Sequence, residues 1–284
     1  MKQAEGLHSP PVEAPAGRRA ELDASPLDPR RPLARAIDLL LALVRSDLRA
    51  RYGRGPWRVF KWLVDPFALV GVYLLLVALV LDRPGQAPGL SVACAVVPFQ
   101  LVMMSVIGSF DTLRVRRSIV ANMKFSRTFM PLASALTESV AFTASMMLFV
   151  VMMAVYQIGP TMSLLWLPVV IASTVLFAGA MSYPAALAGV WISDVREFLI
   201  SFVRTLYFIA PGLVALDEIY GHTHDAVKVN PLTGIFEAYR AVLLYGEPPA
   251  VWHLAYPLAV AAVMAAVFVP IYRREQSQFA KVVE

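Results

Sequence analysis

Six runs of about 20 mostly apolar residues constrain this chain more than any other feature of its sequence. A transmembrane helix needs about 20 consecutive apolar residues to cross the hydrocarbon core of a bilayer. Of the 284 residues 58% are hydrophobic and only 16% are charged, so the composition is that of an integral membrane protein. The predicted spans are residues 63–81, 90–110, 131–157, 162–192, 198–216 and 250–271. The fourth run is long enough to be tilted, or to be broken at Pro184.

The segment before the first span is predicted to contain a tail and an amphipathic helix. Residues 1–32 are rich in proline and have no apolar stretch typical of a cleavable signal peptide, which favours a disordered cytoplasmic tail. Within residues 33–62, aliphatic side chains recur at helical spacing between arginines. An Arg-rich amphipathic helix of this kind lies in the membrane surface. We therefore expect an interface helix at 33–62, followed by the membrane domain at 63–284.

Positive charges near the ends of the spans predict the orientation. Six Lys or Arg residues lie between positions 45 and 61 and five between 111 and 130, whereas the loop at 82–89 has one and the loop at 158–161 has none. Cytoplasmic loops carry an excess of Lys and Arg, so both termini are predicted to be cytoplasmic. The net charge of +5 then indicates membrane anchoring rather than nucleic-acid binding, because the arginines flank spans instead of forming a separate basic domain.

Residues 217–249 do not resemble an ordinary loop. Leu232 to Tyr245 is an amphipathic helical pattern, and it follows Asn230-Pro231, which is a helix-start signal. This extracytoplasmic segment is predicted either to lie on the outer membrane face or to enter the membrane as a re-entrant pair. Irregular backbone at that depth requires a surround of protein or water.

Motifs for catalysis or nucleotide binding are missing from the sequence. It has no GxxxxGK[ST] phosphate-binding loop and no GxSxG, HExxH or paired CxxC. His222 and His224 stand near Asp225, but a polar loop is a better interpretation than a metal site, since no second cluster completes the ligand set. We expect a chain that is not itself an enzyme and that holds no metal or cofactor.

Polar and aromatic residues within the predicted spans are candidates for a substrate path. Glu138 lies in the third span and Arg204 in the fifth, where charges are costly and usually face a partner or a wet pathway. The two are predicted either to pair with each other or to line a path. Aromatic faces can stack on sugar rings, although packing is the commoner role for any single ring. The aromatic candidates are Tyr73, Phe99, Phe110, Phe142, Tyr156 and Tyr207.

Two charged segments lie at the predicted cytoplasmic ends of spans. The loop from Asp111 to Pro131 is predicted to contain a short helix at Leu113–Met123, and basic amphipathic segments serve both as docking surfaces and as membrane-surface anchors. Asp194 and Arg196 follow the fourth span. A solvated charge cluster or local ion pair is the simpler interpretation of that segment.

Four short motifs, in order, resemble those of ABC-transporter permeases that export polysaccharides. Arg45-Ser-Asp47-Leu-Arg49-Ala-Arg51-Tyr52, before a Trp-rich step and Asp65-Pro66, is similar to the family's R-D-L-x-x-R-Y entry. Ile119 to Pro131 resembles its I-x-x-N-x-x-L-x-K-x-x-x-P loop, and Asp194-Val195 its R-D-V step. Asn230-Pro231-Leu232 with Glu237, Tyr239 and Arg240 resembles its N-P-L-x-x-x-x-E-x-Y-R segment. The resemblance covers residues 33–284.

The resemblance implies an all-α membrane fold, with six spans preceded by the interface helix and with the 217–249 segment capping the exit. It implies a homodimer in the bacterial cytoplasmic (inner) membrane that exports a lipid-linked glycan. Two copies of a separate ATPase would bind ATP and Mg²⁺, which agrees with the missing phosphate-binding loop. The residues implied to couple to the ATPase are Arg45, Asp47, Arg49, Arg51, Tyr52, Arg116, Arg117, Asn122, Lys124, Asp194 and Arg196. Those of the exit segment are Asn230, Pro231, Glu237, Tyr239 and Arg240.

Departures from the family pattern leave the substrate open. Ser46 is inserted between Arg45 and Asp47, and Ser193 replaces the arginine before Asp194. The glycan would be an O-antigen, a capsule, a teichoic acid or a cell-wall galactan. The alternatives are a permease of the same fold that exports a drug or a lipid, a secondary carrier, and a membrane scaffold that transports nothing.

Overall fold

A computed structural model describes residues 32–52, 87–116, 128–213, 215–216 and 222–276, with isolated positions at 64, 67, 68, 71 and 72. The described part of the chain is helical and contains no strand. The nine α-helices in this part are α1 (Pro32–Tyr52), α2 (Pro88–Phe110), α3 (Thr112–Val115), α4 (Phe129–Val155), α5 (Leu167–Trp191), α6 (Arg196–Ile209), α7 (His222–Lys228), α8 (Pro231–Arg240) and α9 (Val251–Glu275). Two 3-10 turns, Met162–Trp166 and Ser193–Val195, precede α5 and α6, and a π-helix, Ala241–Tyr245, continues α8.

Four helical segments in the described residues are long and apolar enough to cross a membrane: Pro88–Phe110, Phe129–Val155, Met162–Trp191 and Val251–Glu275. They coincide with the predicted second, third, fourth and sixth spans, and each helix boundary is within four residues of the predicted one. The fourth is an unbroken helix through Pro184, so the predicted break is wrong. The predicted first span, 63–81, lies outside the described residues except for the isolated positions. The predicted tail, 1–32, also lies outside them except for Pro32, at which α1 begins, and residues 53–63 are not described either.

Helix α2 occupies the centre of the bundle. Its side chains from Val92 to Phe99 are buried without interruption, and α2 packs against α4, α5, α6 and α8. Helix α2 begins beside Tyr156, whose hydroxyl accepts a hydrogen bond from the Gly89 amide (3.1 Å). At its other end, Phe110 lies against Gly189 of α5. We call these two ends of the bundle the Tyr156 end and the Phe110 end.

The predicted fifth span, 198–216, is interrupted. Helix α6 has 14 residues and is therefore about 21 Å long, which is less than the hydrocarbon thickness of about 30 Å. It ends at Ile209, and irregular backbone follows through Ala210, Pro211 and Gly212. The sequence did not indicate this end clearly, because the apolar run continues past it.

Helix α8 is buried and does not lie on an outer surface. All its residues from Leu232 to Arg240 are buried, and it packs on α2, α5 and α9. Gly234 allows α9 to approach, because an added Cβ would lie 2.9 Å from the His253 carbonyl oxygen. Of the two predicted positions for this segment, the burial favours the re-entrant one.

Helix α1 packs on α4 from Leu39 onward. Leu43 and Val44 are buried and form a cluster with Ala133, while Leu40 and Leu48 pack at its edge. Aliphatic side chains alone would allow the helix to slide, since apolar contacts are non-directional.

Candidate functional site

A charged cavity of about 470 Å³ opens at the Phe110 end. It lies where α1, α2, α3, α4 and α6 meet, and the apolar side chains of its wall include Met104 and Ile107. Its charged lining consists of three carboxylates and two guanidinium groups, from Asp47, Asp111, Glu138, Arg116 and Arg196. The sequence analysis had placed these residues in four different segments: the 33–62 helix, the 111–131 loop, the third span and the segment after the fourth span.

The first ion pair at this cavity joins Asp47 of α1 to Arg116. The Arg116 Nη2 donates to Asp47 Oδ2, and its Nη1 donates to the Met130 carbonyl oxygen at 3.2 Å. The Thr137 hydroxyl lies 3.4 Å from the same Asp47 oxygen and donates to the Ala133 carbonyl oxygen at 2.8 Å. Arg116 is only 5% exposed and Asp47 28% exposed, so this pair is largely withdrawn from solvent. Within the single chain the two predicted coupling residues bind each other, and their contact with an ATPase stays a prediction.

The second ion pair joins α2 to α6. Arg196 Nε donates to both carboxylate oxygens of Asp111, at 3.1 and 3.3 Å, and its Nη1 donates to Glu197 at 3.0 Å. The hydrogen bonds and the charge of the Asp111 carboxylate hold the pKa of the Arg196 guanidinium above its ordinary value. The contact of Arg196 with Glu197 is a local ion pair, which was the simpler prediction for this segment.

Glu138 faces the same cavity but is not paired with Arg204. Its carboxylate is buried (5% exposed) and lies near Gly108, where an added Cβ would be 3.9 Å from Oε1. Arg204 is exposed on α6, and the ion pairs formed among the described residues do not join the two side chains. Of the two predicted alternatives, pairing of Glu138 with Arg204 is therefore not formed in the single chain.

The remaining predicted coupling residues are only partly described. Arg45 and Arg49 are exposed on α1, and Asp194 is exposed before α6. The predicted helix at Leu113–Met123 is helical at Thr112–Val115, and its later part is not described. The side chains of Arg51 and Tyr52, and all of Arg117, Asn122 and Lys124, lie outside the described residues.

The predicted exit residues hold the broken end of α6. Asn230 caps α8, since its Oδ1 accepts from the Leu232 amide (3.0 Å), and its Nδ2 donates to the Leu206 carbonyl oxygen (2.6 Å). The side-chain amide of Asn230 therefore binds a free N–H group in the first turn of α8 and also a carbonyl oxygen in the last turn of α6. Pro231 begins α8, where its missing N–H costs nothing.

A buried ion pair satisfies the irregular backbone that follows α6. Arg240 Nη1 donates to Glu237 Oε1 at 2.7 Å, and neither side chain is more than 6% exposed. Arg240 Nη2 donates to the Gly212 carbonyl oxygen at 3.3 Å, and the Leu216 amide donates to Glu237 at 3.1 Å. The pair thereby supplies hydrogen bonds to backbone groups that no helix satisfies.

Most predicted path aromatics are buried in the packing of the single chain. Phe99 lies against Tyr207, with ring centroids 4.6 Å apart, and Phe142 contacts Tyr239 edge-on at 6.5 Å. Tyr239 also lies within hydrogen-bonding distance of the Thr174 hydroxyl, at 3.4 Å. Phe110 is buried and Tyr156 is half-buried, while Tyr73 is outside the described residues.

The outward face of α6 mixes aromatic and polar side chains. Phe198, Phe202 and Phe208 are 72%, 51% and 61% exposed, and the first two rings are stacked at 6.4 Å. The same face exposes Ser201, Arg204 and Thr205. Of these residues the sequence prediction named only Arg204. The Phe198–Phe202 spacing of one helical turn, with Ser201 and Thr205 alongside, was the available signal.

No protein-family model matches the chain, but curated relatives do. The O-antigen export system permease protein RfbA of Myxococcus xanthus is 24% identical over 246 residues, which cover 86% of this chain and 94% of the relative. Two proteins of the same name from Klebsiella pneumoniae are 21% and 23% identical over 211 and 214 residues, each covering 74% of this chain and 82% of the relative. The chain is a relative of O-antigen export permeases.

The kinship with O-antigen export permeases agrees with the resemblance drawn from the four motifs. The relatives are permease proteins of export systems, and the apolar helices of this chain are long enough for a multi-pass membrane protein. The similarity therefore supports a permease of the ABC-transporter class, and the polar residues of this chain are interpreted below in that setting.

Proposed function

We propose that this chain is the membrane subunit of an ATP-driven exporter that moves a lipid-linked polysaccharide across the bacterial inner membrane. The observation that carries the proposal is the similarity to O-antigen export permeases along 86% of the chain. In this proposal two copies form the transport path, two copies of a separate ATPase drive it, and a first span at 63–81 and the α6 region complete six spans. The Phe110 end, with both termini, faces the cytoplasm.

The outward face of α6 is the proposed wall of the path. Lipid would disfavour Ser201 and Arg204 on one exposed face, because unsatisfied polar groups in hydrocarbon are costly, whereas the Thr205 hydroxyl is satisfied by the Ser201 carbonyl oxygen. Aromatic rings can stack on the apolar faces of sugars, and hydroxyl and guanidinium groups can bind their hydroxyls. The buried rings of Phe99 and Tyr207 support this face from behind.

The face also bears on the choice among substrates. A path for a long glycan needs repeated weak contacts that let the polymer slide, and stacked rings with hydroxyls between them supply such contacts.

Exposed Arg45 and Arg49 on α1 are the proposed contacts with the ATPase, since they point away from the bundle at the Phe110 end.

Export by the intact complex tests the proposal. The chain is co-expressed with its candidate ATPase in cells that make the lipid-linked glycan, and surface glycan is compared with glycan retained inside. Phe198→Ala with Phe202→Ala removes two stacking rings worth about 0.5–1.5 kcal/mol each, so export should fall about ten-fold. The matched control is Val263→Ala with Val267→Ala, on the exposed apolar face of α9.

The outcomes separate the candidate functions. Retained glycan in the α6 variant but not in the α9 variant supports the proposed path. Unchanged export in both variants would remove α6 from the path. Failure of the unaltered chain to associate with any ATPase would remove the ABC-exporter proposal and favour a carrier or a scaffold.

A further inference from the structure

We propose that the segment Asp111–Arg116 is a mechanical relay, in which two ion pairs link the surface helix α1 to the path helix α6. Asp47 with Arg116 is the link to α1, and Asp111 with Arg196 is the link to α6. These four side chains act as positioning residues. The inference rests on the proposed ATP-driven function, because it concerns how force applied to α1 reaches the transport path.

The link to α1 is the bond between Asp47 and the Arg116 guanidinium. The other side of that guanidinium is held by the Met130 carbonyl oxygen of α4, and the Thr137 hydroxyl lies 3.4 Å from Asp47. Charge-assisted hydrogen bonds of this kind are directional and stronger than neutral ones. They therefore fix the register of α1, which the aliphatic contacts of Leu43 and Val44 would leave free to slide.

The link to α6 is formed by the other end of the same short segment. Asp111 directly follows α2. Its carboxylate accepts two hydrogen bonds from Arg196, which is the first residue of α6. Asp111 and Arg116 are separated only by α3, the single helical turn Thr112–Val115. A displacement of α1 would pull Arg116, and α3 would transmit that displacement to Asp111 and so to α6.

The orientation of α1 suits this role. Its exposed arginines, Arg45 and Arg49, point away from the bundle, and Asp47 between them points into it. An ATPase bound at the arginines would therefore act on a helix already attached to the bundle. The cavity beside the relay leaves room for the segment to shift, since about 470 Å³ is open among the five charged side chains.

Charge exchange provides the test in the full complex. Asp47→Arg and Arg116→Asp, each alone, place like charges together, and glycan exported per ATP hydrolysed should fall at least about ten-fold. The double exchange, Asp47→Arg with Arg116→Asp, should recover most of that loss. Asp111→Arg and Arg196→Asp should behave in the same way at the second link. Arg273→Asp, an exposed change at the same end of the bundle, is the control.

A stability measurement on the purified permease separates failure of the relay from failure of the proposed function. Each single change should lower the unfolding temperature by about 4 °C or more, and the exchanged pair by clearly less than the sum. If the pairs couple in unfolding but the unaltered chain engages no ATPase, the proposed function is wrong. If the unaltered complex exports and the exchanged pairs do not recover export per ATP, the relay is refuted.

Discussion

Replacing Glu237 with glutamine should destabilise this permease strongly. Arg240 is fully buried, and its Nη1 lies 2.7 Å from the Glu237 carboxylate, which is itself only 6% exposed. Removing one partner of a buried ion pair costs about 3–5 kcal/mol, because the other charge stays buried without compensation. Glutamine keeps the size of the side chain and an oxygen that can accept from the Leu216 amide. The loss therefore reports the charge rather than a cavity or a missing acceptor.

The double variant Glu237→Gln with Arg240→Met should be more stable than Glu237→Gln alone. It removes both charges, and methionine retains much of the apolar stem of arginine. The double variant still loses the hydrogen bonds that Arg240 donates to the Gly212 carbonyl oxygen and to the Ser91 hydroxyl. Leaving the buried carbonyl without a donor costs about 1–3 kcal/mol. The second mutation would then stabilise a protein that the first mutation had destabilised. Loss of packing alone would instead make the double variant less stable than the single one.

The free energies of unfolding can be compared in purified protein by denaturant titration or, where unfolding is irreversible, by apparent unfolding temperature. The control is Asp225→Asn, which breaks an ion pair with Lys228 of the same i, i+3 spacing but on the surface. Surface pairs are worth about 0–1 kcal/mol. A loss below about 1 kcal/mol for Glu237→Gln, or a double variant less stable than either single one, would refute the reasoning.

Three further predictions concern other parts of the chain. Gly189→Ala should prevent normal packing of α5 on α2, because its Cβ would lie 2.2 Å from a backbone oxygen, whereas Gly179→Ala, with its nearest atom at 3.7 Å, should be tolerated; unfolding temperatures compare the two. Asn230→Ala should cost about 2 kcal/mol, one for the cap and one for the bond to α6, and Asn230→Asp should not recover the second. The variant Ser201→Cys should react with a water-soluble maleimide and the variant Val267→Cys should not, because maleimide reacts with a thiolate that is in contact with water. Equal labelling of the two variants would contradict a water-exposed face on α6.

The long helices could be predicted from the sequence because hydrophobic length alone determines them. A run of about 20 apolar residues has few alternatives in a bilayer, where every backbone group must be satisfied internally. Pro184 was an unreliable signal for the same reason, since neighbouring helices tolerate proline in a membrane helix. The end of α6 at Ile209 depends instead on partners that are distant in sequence, namely Asn230, Glu237 and Arg240.

The charged cavity could not be assembled from the sequence. The aliphatic pattern of α1 predicted a helix, but it carried no information about which neighbour that helix contacts. Asp47 of α1 binds Arg116, a residue 69 positions away in the chain. Hydrophobic periodicity cannot reveal such a pair, so the contact between the two motifs became visible only in the structure.

Polar side chains in the membrane region divide into two groups, and the division is the strongest physical argument for the path. Glu237, Arg240 and Asn230 direct their polar atoms into the chain and meet partners there, as buried polar groups must. Ser201 and Arg204 on α6 instead face outward between exposed phenylalanines. Lipid would penalise that arrangement along a whole helix face, whereas a second copy of the chain, enclosing water and a glycan between two such faces, would not. The early end of α6 belongs to the first group, because the irregular backbone after Ile209 is buried and its polar groups bind Glu237 and Arg240 inside the chain.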